Sequence, residues 1–349
     1  MTYRIVQWAT GAVGRTALRS ILQHPELDLA GVLVYDPAKE GVDAGDLVGM
    51  PKTGILATRD RGAILDLSAD CVLHMPLPAA QAGRAPADDE RDICDLLASG
   101  KNVITVVGFL YPKAHGPELV ARLEGACQTG SSSLHGTGAN PGFVADVLPL
   151  FLSGLCTSID HISIRDAVGF DTYPSPGLVF DMMGFGKTPG DYERDAARWQ
   201  GFMRTLFSES LHLIADAIGV RLNEFNQVHE TELASEDFTI AAGTIAAGTV
   251  AAQRWVWSAV AGGEDFISIE SIYRGVPESA PNWPSEGLEV VIGGIPALKV
   301  RLGRDWLSSE LKATAGHAIN AIPHVCSASP GIQTALELPL VVGWRNGPA

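Results

Sequence analysis

Short apolar runs alternate with amphipathic stretches over roughly the first 138 residues. Runs at Arg4 to Trp8, Leu29 to Val34, Cys71 to His74, Val103 to Val107 and Ser133 to His135 have strand length. Helical spacing of apolar positions covers about Arg15 to Gln23, Asp89 to Ser99 and Gly116 to Thr129. Strand and helix taken in turn predict an α/β protein with a doubly wound parallel sheet of Rossmann type. The pattern changes after Asn140-Pro141-Gly142. There the sequence predicts a helix at Val144 to Leu152, strands near His161 to Val168, and a loop rich in Gly, Pro and aromatics at Gly169 to Pro189. A long helix, Tyr192 to Ile218, follows, then mixed strand and helix to about Leu302 and a helical run from Leu311. The most apolar helical stretch, about Thr239 to Ala252, is shorter than the roughly 20 residues that span a bilayer. It contains IAAGT twice in succession at 240–249, small residues that permit close packing, for instance at a subunit contact.

The first strand runs directly into a glycine turn that opens a helix. Ala9-Thr10-Gly11-Ala12-Val13-Gly14 fits GxGxxG with alanine in the first glycine position, and Arg15 follows. Gly11 lets backbone approach a pyrophosphate, Gly14 lets the helix pack on the sheet, and the helix start supplies free amides and a favourable dipole. The second apolar run ends at Asp36, about 20 residues past the turn, where a carboxylate accepts ribose hydroxyls. The expected divisions are therefore a dinucleotide-binding domain at 1–142, an α+β substrate and dimerisation domain at 143–305, and a C-terminal segment, 306–349, packing back on the first domain.

Composition narrows the partners. Lys and Arg total 25 against 40 Asp and Glu, and a net charge of −15 repels nucleic acid and anionic membranes. The five cysteines (Cys71, Cys94, Cys127, Cys156 and Cys326) lack metal spacing and fit a reducing cytoplasm. The acidic run Asp88-Asp89-Glu90 reads as a solvated helix start, and His229-Glu230-Thr231-Glu232 as a solvated strand or loop rather than a metal cluster.

Several segments together resemble the dihydrodipicolinate reductase-like oxidoreductases, in the branch of 2,4-diaminopentanoate dehydrogenase and the native amine dehydrogenases. They are the turn at 9–15, VYDPAKEGVDAGDLVG at 34–49, GKNVITVVGFLYP at 100–112, GTGANPGF at 136–143, FG at 185–186, GTVAAQRW at 248–255 and NAIPHVCSASPGIQTALELP at 320–339. The resemblance implies a Rossmann domain with an α/β substrate domain, hydride transfer by a nicotinamide cofactor, and a homodimer. Two departures stand out. The histidine- and lysine-bearing segment of dihydrodipicolinate reductase itself is missing. So is the glutamate that amine dehydrogenases of this branch carry after the fourth strand, where Val106-Val107-Gly108-Phe109-Leu110 stands instead.

Ligands of open α/β sheets lie beyond the carboxyl ends of the strands. That rule selects Thr10 to Arg15, Asp36 with Lys39, Pro76 and Leu77, Gly108, and Asn140 as cofactor contacts. Asn140 is the candidate for the nicotinamide end, with capping of the next helix as its alternative role. Asp36 favours NAD, while Lys39 and Arg15 leave NADP tolerated. For the proton donor the candidates are Tyr173, His135 and Asp171, and Phe109, Phe143, Phe170, Met182, Met183 and Phe185 are expected to line the pocket. The expected activity is hydride exchange between nicotinamide and a carbonyl or imine of a small, fairly apolar substrate. The alternatives are an amine dehydrogenase with a carboxylate relocated to, for example, Asp171, and a non-catalytic dinucleotide sensor whose nicotinamide end Phe109 plugs.

Overall fold

A computed structural model describes residues 2–79, 81–173, 176–303, 306 and 309–344. The chain forms two compact units, one of Met1–Phe143 with Ser309–Ala349 and one of Val144–Ser308. In the first, β1 (Tyr3–Trp8), β2 (Leu27–Leu33), β3 (Cys71–His74), β4 (Asn102–Thr105), β5 (Ser133–Gly136) and β14 (Gly331–Ile332) lie in the order β14-β5-β4-β3-β1-β2. Every neighbouring pair is parallel. Such a sheet is covered on both faces, which is why its strands read as continuous apolar runs.

One face carries α1 (Ala12–Gln23) and α8 (Glu310–Ser327). Ala17, Leu18 and Ile21 of α1 share a core with Ile5, Val32 and Ile104 of the strands and Ala315, Ile319 and Ile322 of α8. The other face carries α4 (Asp88–Ala98) and α5 (Pro117–Gly130), through Ile93, Leu96, Leu97, Leu123 and Cys127. Each such Leu or Ile contributes about 1.5–3 kcal/mol by burial. Two short helices, α2 (Ala44–Val48) and α3 (Arg61–Asp66), lie between β2 and β3 in sequence. The direction of α8 matters for the site. Its Thr314 and His317 meet the loop after β5, while Cys326, near its end, reaches the Asp70 carbonyl just before β3. The helix thus runs against the strands and begins at their carboxyl edge.

The second unit is a mixed sheet of β6 (Ser158–Gly169), β7 (Glu224–Leu233), β10 (Val250–Ala261), β11 (Glu264–Arg274), β12 (Gly287–Ile295) and β13 (Leu298–Leu302). Its order is β13-β12-β6-β11-β10-β7, with β6 and β11 parallel and the remaining pairs antiparallel. It also holds α6 (Val147–Ser153) and the long α7 (Pro189–Ile218). Thr188 caps α7 by accepting the Asp191 amide at 3.3 Å, Pro189 occupies its first turn, and Gly219 ends it in a left-handed conformation at φ 74°. Phe207 of α7 stacks on Trp257 of β10 with ring centroids 4.1 Å apart.

Two sequence expectations fail in this unit. Among the described residues from 224 to 302 there is no α-helix, only strands and the single 3-10 turn Pro277–Ser279. The apolar stretch at Thr239 to Ala252 is a ribbon, β8 (Phe238–Ile240) against β9 (Gly243–Ile245), followed by β10. Each IAAGT copy starts with a strand-ending isoleucine and continues into a turn. Ile240 and Ile245 are buried in the unit's core, whereas Ala241-Ala242 and Ala247-Gly248 occupy the turns.

Candidate functional site

The first turn is shaped by one carbonyl. Ala9 holds a left-handed φ of 73°, the conformation that usually calls for the fingerprint's first glycine. Its amide donates to the Leu33 carbonyl at 2.9 Å and its own carbonyl accepts from Gln7 Nε2 at 2.9 Å. A Cβ on Gly14 would meet that carbonyl oxygen at 2.2 Å, so only glycine allows α1 this close to β1. Gly11 is different. Nothing lies within 4 Å of its Cβ position, and no side chain caps α1, which leaves the first amides of the helix without a side-chain partner. Lys39 extends its ammonium to the same turn, donating to the Thr10 carbonyl at 3.1 Å and the Thr10 hydroxyl at 3.3 Å. Asp36 uses Oδ1 to accept the Ala38 amide at 2.9 Å and is otherwise exposed at the end of β2, as Arg15 is on α1. A cradle of free amides beside a cation, with an exposed carboxylate one strand away, fits a dinucleotide.

The remaining loops at the carboxyl edge, 75–78, 106–110 and 137–143, contain no charged residue. Pro76 is buried and Leu77 is exposed. Gly108 has φ 105° and Phe109 φ 60°. The Phe109 ring packs against the core that α4 and α5 cover, so it lies in the sheet's own packing and is no plug for a cofactor. Asn140 is half-buried in a loop that α8 pins. There Ala139 donates its amide to Thr314 Oγ1 at 3.2 Å, the Thr137 hydroxyl lies 2.5 Å from His317 Nδ1, and Phe143 meets the His317 ring edge-on at 5.3 Å.

A hydrogen bond fixes the tautomer of His135. Its Nδ1 must carry the proton that it gives to the Gln333 carbonyl at 2.7 Å, so Nε2 holds only a lone pair. Burial lowers its pKa to about 4, which keeps it neutral at physiological pH.

The candidates of the second unit gather in its core. Phe170, Met183 and Phe185 are buried with Val179 and Tyr192, and Tyr173 and Met182 pack half-exposed against them. Phe170 contacts Tyr173 at 5.0 Å and Phe185 at 5.6 Å. These three buried side chains serve packing, which leaves Tyr173 and Met182 as the accessible members. Asp171 is half-exposed, and its carbonyl accepts the Ala241 amide at 2.9 Å.

The acidic run begins α4 as the sequence predicts, but Asp89 is not solvated. Asp89 is buried and accepts from Arg84 at 2.8 Å and from the Ala79 amide at 2.7 Å. Buried Asp92 pairs with Arg61 at 3.1 Å and Arg84 at 3.4 Å, and the Arg84 guanidinium lies over the Tyr35 ring at 4.8 Å. Sequence reasoning missed both this cluster and His317. His317 stands three residues after Thr314 on a helix that also carries Glu310, Lys312, Asn320 and His324, so no local pattern singled it out.

A parallel sheet with a glycine turn and an acid-ended second strand defines the class of dinucleotide-dependent oxidoreductases. Residues 143–347 match the 2,4-diaminopentanoate dehydrogenase C-terminal domain family. The chain is 33% identical to an amine dehydrogenase of Streptomyces virginiae over 96% of each chain. It is 27% identical to 2,4-diaminopentanoate dehydrogenase of Acetoanaerobium sticklandii over 66% of this chain and 64% of that one. Its fold matches an amine dehydrogenase structure from Mycobacterium smegmatis with a TM-score of 0.80 at 23% identity, covering 99% and 98% of the two chains. The chain belongs to the 2,4-diaminopentanoate dehydrogenase and amine dehydrogenase-like family, and it is an NAD(P)-dependent oxidoreductase that acts on a small substrate by hydride transfer. With that, the reading as a non-catalytic sensor falls. No helix among the described residues is long and apolar enough to cross a membrane.

Proposed function

We propose that the protein reversibly reduces a carbonyl or imine carbon in a small, fairly apolar substrate. The observation that carries this reading is the absence of Asp, Glu, Lys and Arg from loops 75–78, 106–110 and 137–143. A cationic substrate in such surroundings would lack a partner and pay the full cost of leaving water, whereas a neutral carbonyl or imine would not. When bound, a nicotinamide supplies the hydride. The amides at the start of α1 and Lys39 hold the pyrophosphate, Asp36 receives the ribose hydroxyls of the adenosine half, and Asn140 orients the nicotinamide end. The exposed Asp36 carboxylate opposes a 2′-phosphate, so NADH is the preferred reductant and NADPH is tolerated.

A second reading, reductive amination of ketones, is favoured by the Streptomyces virginiae amine dehydrogenase, 33% identical to this chain. It requires the imine to be reduced in its neutral form or a carboxylate to come from elsewhere, with Asp171 the candidate. The homodimer implied by the resemblance and a cytoplasmic location, in keeping with five unpaired cysteines, complete the proposal, and no nucleic acid is a partner.

The test follows NADH and NADPH consumption against a panel of ketones and aldehydes, with and without ammonia. Turnover without ammonia and with NADH ahead is the expected result. Turnover only with ammonia would make the protein an amine dehydrogenase, and inactivity in both arms would remove the carbonyl reading altogether.

A further inference from the structure

We propose that His317 is a catalytic residue, a neutral imidazole whose Nε2–H binds the substrate heteroatom while hydride reaches the adjacent carbon. The inference rests on the functional reading above and supplies the hydrogen-bond donor which that reading lacks.

Position comes first. In the order β14-β5-β4-β3-β1-β2 the pyrophosphate turn follows β1 and Asp36 follows β2. A nicotinamide half bound at that turn would extend the other way, past β3 and β4, and its substrate would lie toward the end of β5. Three strand spacings separate β1 from β5, about 14 Å. The loop after β5 is where α8 begins its run against the strands and delivers His317.

Chemistry comes next. Thr137 is 3% exposed, and among the described residues its hydroxyl proton has a single acceptor in reach, His317 Nδ1 at 2.5 Å. If Nδ1 carried the ring proton, the hydroxyl oxygen would accept it and the buried hydroxyl proton would be left without an acceptor, at a cost of about 1–3 kcal/mol. The hydroxyl therefore donates, Nδ1 accepts, and the ring proton sits on Nε2. The Phe143 ring against the imidazole at 5.3 Å fixes its plane. Nε2 makes no hydrogen bond to the described residues, so its proton is available to a ligand. Burial also holds the ring below its ordinary range, at about 4, so it remains a neutral donor across the physiological range.

In the step itself, hydride forms the new C–H bond and the C=O or C=N π pair withdraws onto the heteroatom. His317 Nε2–H stabilises that charge, the heteroatom takes its proton from solvent, and the imidazole ends unchanged.

His317→Ala, His317→Gln and Thr137→Val are compared with the parent for NADH affinity by fluorescence titration, for kcat and KM with the best carbonyl substrate, and for kcat from pH 5 to 8. His317→Ala is expected to lower kcat about 100-fold with NADH affinity within twofold of the parent. His317→Gln, whose amide N–H can replace Nε2–H, should recover part of that loss. Thr137→Val, which keeps the ring but frees its tautomer, should fall between, and it serves as the test should His317→Ala fail to fold. The parent kcat should show no limb near pH 6.5. The proposal is overturned if His317→Ala keeps kcat within threefold, if NADH affinity falls together with kcat, or if Thr137→Val behaves as the parent. A parent inactive on every carbonyl would instead overturn the functional reading, so the two failures are distinguishable.

Discussion

Two glycines three residues apart do different work in the first turn. Gly14 is demanded by the fold, since a Cβ there would lie 2.2 Å from the Ala9 carbonyl oxygen, which belongs to backbone and cannot swing aside. Gly11 is not, because its φ of −71° is ordinary and its Cβ position is empty. Their variants should separate cleanly. Gly14→Ala is expected to lower unfolding stability by about 2 kcal/mol. Gly11→Val should change stability by less than about 1 kcal/mol yet abolish NADH binding, because its side chain fills the space for phosphate. Urea unfolding and calorimetric titration of the same two proteins check both halves. A Gly11→Val variant that binds like the parent would show the cradle to be elsewhere. The motif was legible because its glycines and Asp36 keep a fixed spacing in sequence. The protonation of His135 and His317 was not, because each depends on a partner, Gln333 or Thr137, about 180 or more residues away in the chain.

Elements were read well where a single periodicity governs them. The strands of the parallel sheet from β1 to β5 lie within about two residues of their expected positions. The alternating helices α1, α4 and α5 do so within about three. Periodicity failed at 239–252, where Ala, Gly and Thr give neither a strand nor a helix signature and the two turns are set by Gly243 and Gly248 at φ 145° and 76°. The repeat places one large side chain per copy, so the ribbon is anchored by Ile240 and Ile245. Ile245→Ala, at a fully buried position, should cost about 2–4 kcal/mol, while Ala246→Ser and Ala247→Ser in the exposed bend should cost almost nothing. Denaturant midpoints for the three variants decide it. Equal effects at all three would favour a contact made by the small residues themselves.

At the scale of the whole molecule, buried histidines make stability depend on pH. Burial holds His74 at about 3 and His135, His229 and His317 at about 4, all below the ordinary value of 6.5. Between those values and 6.5 the unfolded chain binds protons that the folded one refuses. Their contribution is therefore complete above pH 6.5 and is lost progressively as pH falls toward 4. Urea unfolding at intervals from pH 7 to pH 4 should show the loss, and His135→Asn, which keeps an N–H for the Gln333 carbonyl but cannot titrate, should shallow the slope. A variant with the parent's slope would place the protons on other groups. Asp89 and Asp92, whose pKa values burial raises, act in the opposite sense.

The sequence by itself determined the fold class, the parallel sheet's strands, the dinucleotide turn and the uncharged character of the loops at its carboxyl edge. Each is a property of neighbours in the chain: hydrophobic period, glycine spacing or local composition. Tertiary structure alone decided that α8 begins at the carboxyl edge of the sheet, that Phe170, Met183 and Phe185 are buried, that Asp89 and Asp92 are buried against Arg84, and that His317 pairs with Thr137 while His135 pairs with the Gln333 carbonyl. The direction of a helix across a sheet, the burial of a charge and the tautomer of an imidazole are each fixed by groups far away in sequence, which no local pattern records.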